Sequence, residues 1–323
     1  MNILITSSGR RTSLLKFFRV AAHKRGGRIF AGDLDSLAPT LFGADEALRL
    51  PPIMSEEYVS SLERLIGKHR IDLVVPTIDT ELLILARNRQ RLEQAGANIL
   101  ISDIRLVECA RDKWKTHACF ARQGIRMPRT WLPEELDLAD LPERVFLKPR
   151  DGSSSLNTHA VRRQDVSNIL PSVPCPIIQE CITGTEITID ALLSLDGEPI
   201  HYVPRIRLKA VGGESVQGVT IDNATMVPWM ERLLRGLQAL GGRGPMTLQA
   251  FLVPDGDPIF FEVNPRFGGG FPLGHAAGGE YPEWICRMLE GEAVPPKVGM
   301  YERGLYMTRY YDEIVTKELP WPR

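Results

Sequence analysis

The sequence predicts an α/β unit followed by a strand-rich α+β region. Three features carry this reading. The first hundred residues alternate short apolar strands with amphipathic helical stretches. From about Val107 the pattern changes to strands joined by turns, with few helices. Near residue 255 a hairpin leads into a strand that carries Glu262, Asn264 and Arg266 at alternate positions. Strand–helix alternation implies a parallel sheet with binding loops at the C-terminal ends of its strands.

The bulk composition narrows the function. A chain of 323 residues has room for two or three domains with real cores. Thirty-nine Lys and Arg against 40 Asp and Glu leave a formal charge of −1, and no basic run stands out, which argues against a nucleic-acid partner. Apolar stretches are strand-sized, so no membrane span is expected. Met1-Asn2-Ile3-Leu4-Ile5-Thr6 reads as a buried strand and not as a secretion signal. Five scattered cysteines without CxxC spacing fit a reduced, cytoplasmic chain, and the histidines offer no zinc motif.

In the first hundred residues, strands are expected at 2–6, 28–32, 73–76 and 98–102, with helices over 11–25, 56–69 and 80–95. The loops between them hold Ser7-Ser8-Gly9-Arg10-Arg11, Asp33-Leu34-Asp35 and Thr77-Ile78-Asp79-Thr80-Glu81. Asp33 following Gly9 invites a dinucleotide reading, but the first turn has one glycine where a pyrophosphate needs GxGxxG. Arg10 and Arg11 at a helix start suit a small carboxylate instead, a solvated helix start being the plainer reading. Together with Asp79 and Glu81 they could grip a zwitterionic amino acid.

Farther along, a helix is expected from about 111 to 124, then an acidic, proline-containing linker over 133–142. Strands follow at 145–148, 158–162, 177–181, 186–194 and 199–208, and a helix at 229–240. Lys148 ends a buried strand just before Asp151-Gly152-Ser153-Ser154-Ser155, where a lysine reaches a phosphate and loop N–H groups cover others. An ordinary hairpin with a solvated lysine is the plainer alternative. Gln179-Glu180-Cys181-Ile182 offers a strand edge that can read an adenine, and Glu186 a carboxylate for ribose hydroxyls, unless the segment is a simple strand–turn–strand. Arg205, Arg207 and Lys209 share parity on one strand, an arrangement that repels itself unless an anion lies between.

The hairpin is the most informative element. Asp255-Gly256 between two apolar runs signals a tight turn of two or four residues, and either length sets Gln249 directly opposite Glu262. Period two puts Glu262, Asn264 and Arg266 on one face and sends Phe261 and Val263 to the core. Hard oxygen donors suit Mg²⁺ and a guanidinium suits phosphate, so the strand reads as a site for a metal-bound nucleoside triphosphate. Gly268, Gly269 and Gly270 follow, leaving backbone N–H groups open to an anion. Trp321-Pro322-Arg323 reads as a frayed tail.

The whole chain resembles the ATP-grasp superfamily. The resemblance rests on the order Lys113, Lys148, small-residue loop, Gln-Glu-x-Ile at 179–182, Gly-x-Glu at 184–186, Gln249, and Glu-x-Asn-x-Arg at 262–266. It is nearest to the carbamoyl-phosphate synthetase large-subunit branch and to pyrrolysine-biosynthesis-type carboxylate–amine ligases, the latter on Ser-Ser-Gly-Arg-Arg and Glu-Val-Asn-Pro-Arg-Phe-Gly-Gly-Gly. It implies an ATP-grasp fold with a pre-ATP-grasp domain over 1–107, a small lid over 108–178 and a C-terminal subdomain over 179–323, with ATP between the last two. It also implies roles. Lys113 and Lys148 would hold the α- and β-phosphates, with Ser153, Ser154 and Ser155 nearby. Glu180 and the Ile182 backbone would read adenine, and Glu186 the ribose. Gln249, Glu262 and Asn264 would bind two Mg²⁺ ions, which Mn²⁺ can replace, with Glu262 bridging. Arg266 would stabilise the transferring γ-phosphoryl group. Arg205 and Arg207 are expected to act beside it, and Gly269 on a carboxylate substrate. The loop at 151–155 has fewer glycines than many members.

The implied reaction is ATP-dependent joining of a carboxylate, an amino acid first of all, to an amine through an acyl phosphate, releasing ADP and phosphate. The alternatives are phosphorylation of carbamate or a small acid without amide formation, and a non-catalytic nucleotide sensor. The partners are small molecules; a homodimer is compatible with the sequence.

Overall fold

The computed structural model describes residues 1–152, 157–211, 214–222 and 226–322. Three sheets organise them. The first contains β1 (Ile3–Thr6), β2 (Ile29–Asp33), β3 (Glu46–Arg49), β4 (Leu73–Pro76) and β5 (Asn98–Ile99), in the order β3-β2-β1-β4-β5 and parallel throughout. Helices α1 (Thr12–Lys24), α2 (Glu57–His69), α3 (Asp79–Arg87) and α4 (Arg89–Gln94) connect and cover it. This is the parallel sheet that strand–helix alternation implies, and its apolar strands are buried on both faces. It differs from expectation in detail. β3 is an additional strand, β5 is two residues long, and the helix expected over 80–95 breaks at Asn88, whose Nδ2 donates to the Ile84 carbonyl at 2.9 Å.

At the C-terminal end of this sheet the loops are knitted together. Gly9 N donates to Asp33 Oδ2 at 2.7 Å, and Thr77 Oγ1 donates to the Ser7 carbonyl at 2.6 Å. Ser7 and Gly9 both adopt positive φ, at 47° and 46°, so residues 7–11 form a tight turn at the head of α1.

Two helices, α5 (Ile104–Arg111) and α6 (Lys113–Ala121), lead out of the first unit. Asp112 caps α6, accepting from Trp114 N and Lys115 N, and also binds Arg150 Nη2 at 2.5 Å. Leu106, Cys109, Phe120 and Ile125 pack into the core of the third, largest sheet. The segment 108–125, expected within the lid, thus shares a core with the C-terminal unit. The small antiparallel sheet itself runs from β6 (Thr130–Trp131) through β7 (Arg144–Pro149) and β8 (His159–Arg162) past α7 (Val166–Ile169) to β9 (Pro176–Glu180), in the order β6-β9-β7-β8. Its own core contains Val145, Leu147, Val161, Val166 and Ile178.

The largest sheet contains β10 (Thr185–Leu193), β11 (Pro199–Val211), β12 (Glu214–Thr220), β13 (Gly244–Leu252), β14 (Ile259–Asn264) and β15 (Tyr306–Thr308), in the order β14-β13-β10-β11-β12-β15. Helix α8 (Val227–Ala239) buries Trp229, Met230, Leu233, Leu234 and Leu237 in the core on one face. The short helices α9 (Phe271–Ala276) and α10 (Tyr281–Leu289) tie this unit to α1 and the N-terminal core. β12, β15, α9 and α10 were not anticipated from sequence. Trp321 is no loose end either: it packs against the N-terminal core, while Arg323 lies outside the described residues. Among the described residues no helix is long and apolar enough to cross a membrane.

The hairpin has the expected register where it matters. Thr247 pairs with Asn264 and Gln249 with Glu262. Nearer the turn a bulge between Gln249 and Ala250 shifts the pairing, so Ala250 faces Phe260 and Phe251 faces Ile259. The six residues 253–258 connect the strands, more than the two or four expected. The bulge also corrects one side-chain assignment: Phe260 enters the core, whereas Phe261 lines the cleft.

Beneath the cleft lies a buried ion pair. Arg205 Nε donates to Asp190 Oδ2 at 2.8 Å, and each side chain is 2 % exposed. Tyr281 Oη donates to the Asp190 carbonyl at 3.0 Å. Removing one member of such a pair strands the other charge in the interior. Asp190→Ala should therefore lower stability by about 3–5 kcal/mol, read as a clear fall in thermal midpoint; an unchanged midpoint would contradict this account of the pair.

Candidate active site

A cleft of about 730 Å³ opens between the three sheets. One wall is the small sheet, where Lys148, next to last in β7, pairs with Ile177 of β9. Lys148 is 7 % exposed, with its Nζ 5.7 Å from the Phe261 ring centre and 6.0 Å from that of Phe146. Burial pushes its pKa down to about 8, Glu262 acting in the opposite direction and Lys113 reinforcing the fall. Lys113 begins α6 and donates to the Gly152 carbonyl at 2.8 Å. Burial lowers its pKa as well, and Glu262 and Asp151 counter the effect. Glu262 thus acts electrostatically on both lysines, and all three line the cleft. Ser153, Ser154 and Ser155 lie outside the described residues.

The floor is the open face of the large sheet. Strand pairing aligns Glu262, Gln249, Thr188 and Arg205 on four neighbouring strands. Asn264 Nδ2 donates to Glu262 Oε1 at 3.0 Å, which orients the carboxylate. Gln249, Glu262 and Asn264 offer a carboxylate and two amide oxygens, and among the described residues no cluster of three or more His, Cys, Asp or Glu competes as a metal site. One carboxylate with neutral oxygens fits a Mg²⁺ that keeps most of its coordination for phosphate and water.

At the hinge end, Glu180 accepts from Arg129 N and Nε at 2.9 and 3.0 Å, and Ile182 lines the cleft beside it. Glu186 forms an ion pair with Arg207, both at the cleft surface. This corrects the cationic ladder. Arg205 is buried against Asp190 and Arg207 is neutralised by Glu186. Lys209 follows a register shift and is exposed outside the cleft lining. No uncompensated row of three cations faces the site.

The far wall comes from the N-terminal sheet. Arg10, Arg11 and Asp79 line the cleft there, and Arg266 reaches across to Asp79 at 2.6 Å. Glu81 does not join them. It is fully buried, accepts a hydrogen bond from Tyr58 Oη, and burial raises its carboxyl pKa. The reason is helical geometry: residues two apart on α3 face different directions, so Asp79 faces the cleft and Glu81 the core.

Gly268, Gly269 and Gly270 form the end of the floor. A Cβ on Gly270 would stand 2.4 Å from Arg205 Cζ, and one on Gly268 would stand 2.7 Å from Thr247 Oγ1. Glycine is needed there for close approach. Arg309 Nη2 donates to the Gly269 carbonyl, a contact from the C-terminal segment with no sequence signal. Thr188 and Asp190 were also missed. They share parity with Glu186 on β10, so the period-two argument applied to 262–266 would have found them.

A parallel-sheet domain, a lid-sized antiparallel sheet and a charged cleft against a larger sheet make up the three-part architecture of an ATP-grasp protein. Residues 3–100 match the PylC-like N-terminal domain and residues 110–270 the ATP-grasp domain. The chain belongs to the ATP-grasp superfamily. In sequence it is similar to formate-dependent phosphoribosylglycinamide formyltransferase from Bacteroides fragilis, 26 % identical over 290 residues, covering 82 % of this chain and 70 % of that one. In fold it is similar to biotin carboxylase from Campylobacter jejuni, with a TM-score of 0.77 at 15 % identity, over 94 % of this chain and 74 % of that one. L-amino acid ligase from Bacillus licheniformis superposes with a TM-score of 0.70 at 19 % identity, over 91 % and 77 % of the two chains.

Two outcomes follow from this geometry. Lys148 carries its charge below about pH 8 and loses it above. Affinity for Mg·ATP should therefore weaken as pH rises through that value, and Lys148→Arg, which stays charged, should remove the dependence. Calorimetric titration on either side of that pH checks this. Glu262→Gln removes the one carboxylate of the oxygen row; Mg²⁺-dependent activity should fall by at least about 100-fold, the scale of losing a charged group acting on the transition state, while circular dichroism stays unchanged.

Proposed function

We propose that this protein uses Mg·ATP to activate a small carboxylate, an amino acid first of all, and joins it to an amine. The substrate carboxylate oxygen attacks the γ-phosphorus, and the bridging oxygen leaves with ADP. The amine lone pair then attacks the acyl carbon, the C–O electron pair leaves with phosphate, and the nitrogen gives up a proton. Phosphoryl transfer of this kind needs positioning and charge neutralisation more than a nucleophilic side chain.

The observation that carries the reading is the shared cleft. Lys113, Lys148, Glu262 and Arg266 line the same space as Arg10, Arg11 and Asp79 from the N-terminal domain. In this reading a nucleotide end and a substrate end share one enclosure. In this reading Lys113 and Lys148 hold phosphates, Glu180 and the Ile182 backbone take the adenine, and Glu186 takes the ribose, exchanging its bond to Arg207. Gln249, Glu262 and Asn264 hold two Mg²⁺ ions, which would neutralise β- and γ-phosphate charge. Arg266 stabilises the moving phosphoryl group, assisted by Arg207. Arg205 acts from behind, by fixing the Gly268–Gly270 segment whose Gly269 meets the carboxylate.

A second reading takes formate as the acid, favoured by the similarity to formate-dependent formyltransferases. Both readings pass through an acyl phosphate, so one experiment addresses both. The purified protein, Mg·ATP and hydroxylamine are incubated with single amino acids or formate, and hydroxamates are detected by mass spectrometry. An aminoacyl hydroxamate supports the first reading and formohydroxamate the second. ADP release with no hydroxamate or amide from any acid would remove the ligase reading and leave a nucleotide-binding ATPase.

A further inference from the structure

One ion pair spans the cleft between its two functional ends. Arg266, two residues past the end of β14, donates from Nη2 to Asp79 Oδ2 at 2.6 Å, joining residues 187 positions apart. The side chains are 13 % and 21 % exposed. Asp79 opens α3, and a helix N-terminus stabilises a carboxylate as the anion. The pairing is one-pronged, not the two-bond fork that Arg and carboxylate favour. Asp79 Oδ1 and Arg266 Nε are buried and accept or donate no hydrogen bond within the protein, and Arg266 Nη1 donates to the Phe267 carbonyl at 3.2 Å. Each partner therefore holds a polar atom in reserve, while both line the cleft.

The chemistry assigns the two partners to different substrates. Arg266 suits a phosphoryl group, and Asp79 suits an ammonium. Neither can serve its substrate fully while it serves the other residue. We propose that Asp79 is a positioning residue that couples amine binding to phosphoryl transfer, acting through Arg266. This rests on the ligase reading above. Without an amine, Asp79 holds Arg266 toward the N-terminal wall. An ammonium group carries the same charge as the guanidinium and replaces it at Asp79. Arg266 is then released toward the γ-phosphoryl group. The exchange is reciprocal, because a nucleotide that draws Arg266 away leaves Asp79 open to the amine. The benefit is chemical: an acyl phosphate formed with no amine at hand is lost to water. A grip by Asp79 alone would not require this link to Arg266.

A double-mutant cycle tests the coupling without either unidentified substrate. Affinity for the non-hydrolysable imido analogue of ATP with Mg²⁺ is measured by calorimetry in the wild type, Asp79→Asn, Arg266→Ala and the double variant. Asp79→Asn should tighten binding by at least about 5-fold, the lower end of measured site–site couplings, and should have no effect in the Arg266→Ala background. Equal tightening in both backgrounds would mean simple repulsion between Asp79 and phosphate and would overturn the proposal, as would no tightening at all. Asp79→Glu keeps the charge and should restore wild-type affinity, which separates coupling from misfolding. The twenty common amino acids are then added one at a time as the amine. At least one should tighten binding of the analogue to the wild type and leave Asp79→Asn unmoved; a response equal in both proteins, or none in the wild type, would overturn the amine's part. The cycle and the hydroxamate assay fail separately. Product formation with a flat cycle sinks only the coupling, whereas a positive cycle with no acyl product sinks the ligase reading and the amine's part with it, leaving the Asp79–Arg266 link to nucleotide binding.

Discussion

A lysine buried to 7 % exposure keeps its charge only if an anion lies close, and for Lys148 that anion is Glu262. Much of the cleft follows from this requirement. Glu262 can face Lys148 only if β14 is held in one register, since a one-residue slip would turn it to the opposite face. The Gln249–Glu262 pairing holds that register, and Asn264 then fixes the carboxylate through its side-chain amide. The bulge just beyond admits Phe261 to the cleft, where its ring lies beside the Lys148 ammonium. A cation beside aromatic faces is partly compensated even where water is excluded.

The same logic governs three arginines around the cleft. Arg205 is matched by Asp190, Arg207 by Glu186 and Arg266 by Asp79. Their environments differ. The Arg205–Asp190 pair is sealed under glycines that admit no side chain, so it serves as structure. The other two pairs are partly exposed to the cleft. There a phosphate or carboxylate can take the place of the internal partner at little net cost, because one charge-assisted contact is exchanged for another. Depth of burial thus separates scaffold from working surface among three arginines that look alike in sequence.

This explains what the sequence revealed and what it concealed. Period-two alternation and turn chemistry are local, and they located Gln249, Glu262, Asn264 and Arg266 with the correct cross-strand pairing. The parallel N-terminal sheet was legible for the same reason, from repeated strand–helix alternation. The cationic ladder at 205–209 was read from parity alone, and parity does not show which carboxylates stand on adjacent strands. Asp190 and Glu186 come from β10, fifteen or more positions earlier, so only the fold reveals the compensation. Glu81 failed for a different reason. It was grouped with Asp79 by proximity in the chain, but the helix begins at Asp79 and turns Glu81 into the core. Arg309 carries no local pattern and reaches Gly269 only because β15 pairs with β12.

The position of the cleft has a further consequence. One end is built from the small and large sheets, and the other from loops of the parallel sheet. The parallel-sheet and large-sheet units share a core in which Ile3, Ile5 and Phe18 meet Phe267, Phe271 and Trp284, while the small sheet packs on a core of its own. Behind the cleft, α10 and α1 are bound firmly, with Arg25 paired to both Glu283 and Glu290. Inside it, Asp79 and Arg266 form a single-pronged contact. A strong contact behind and an exchangeable one within allow the site to adjust locally while the domains stay together. Multi-substrate chemistry calls for that combination: a fixed frame that excludes water, and a few charged groups whose partners change as each substrate arrives.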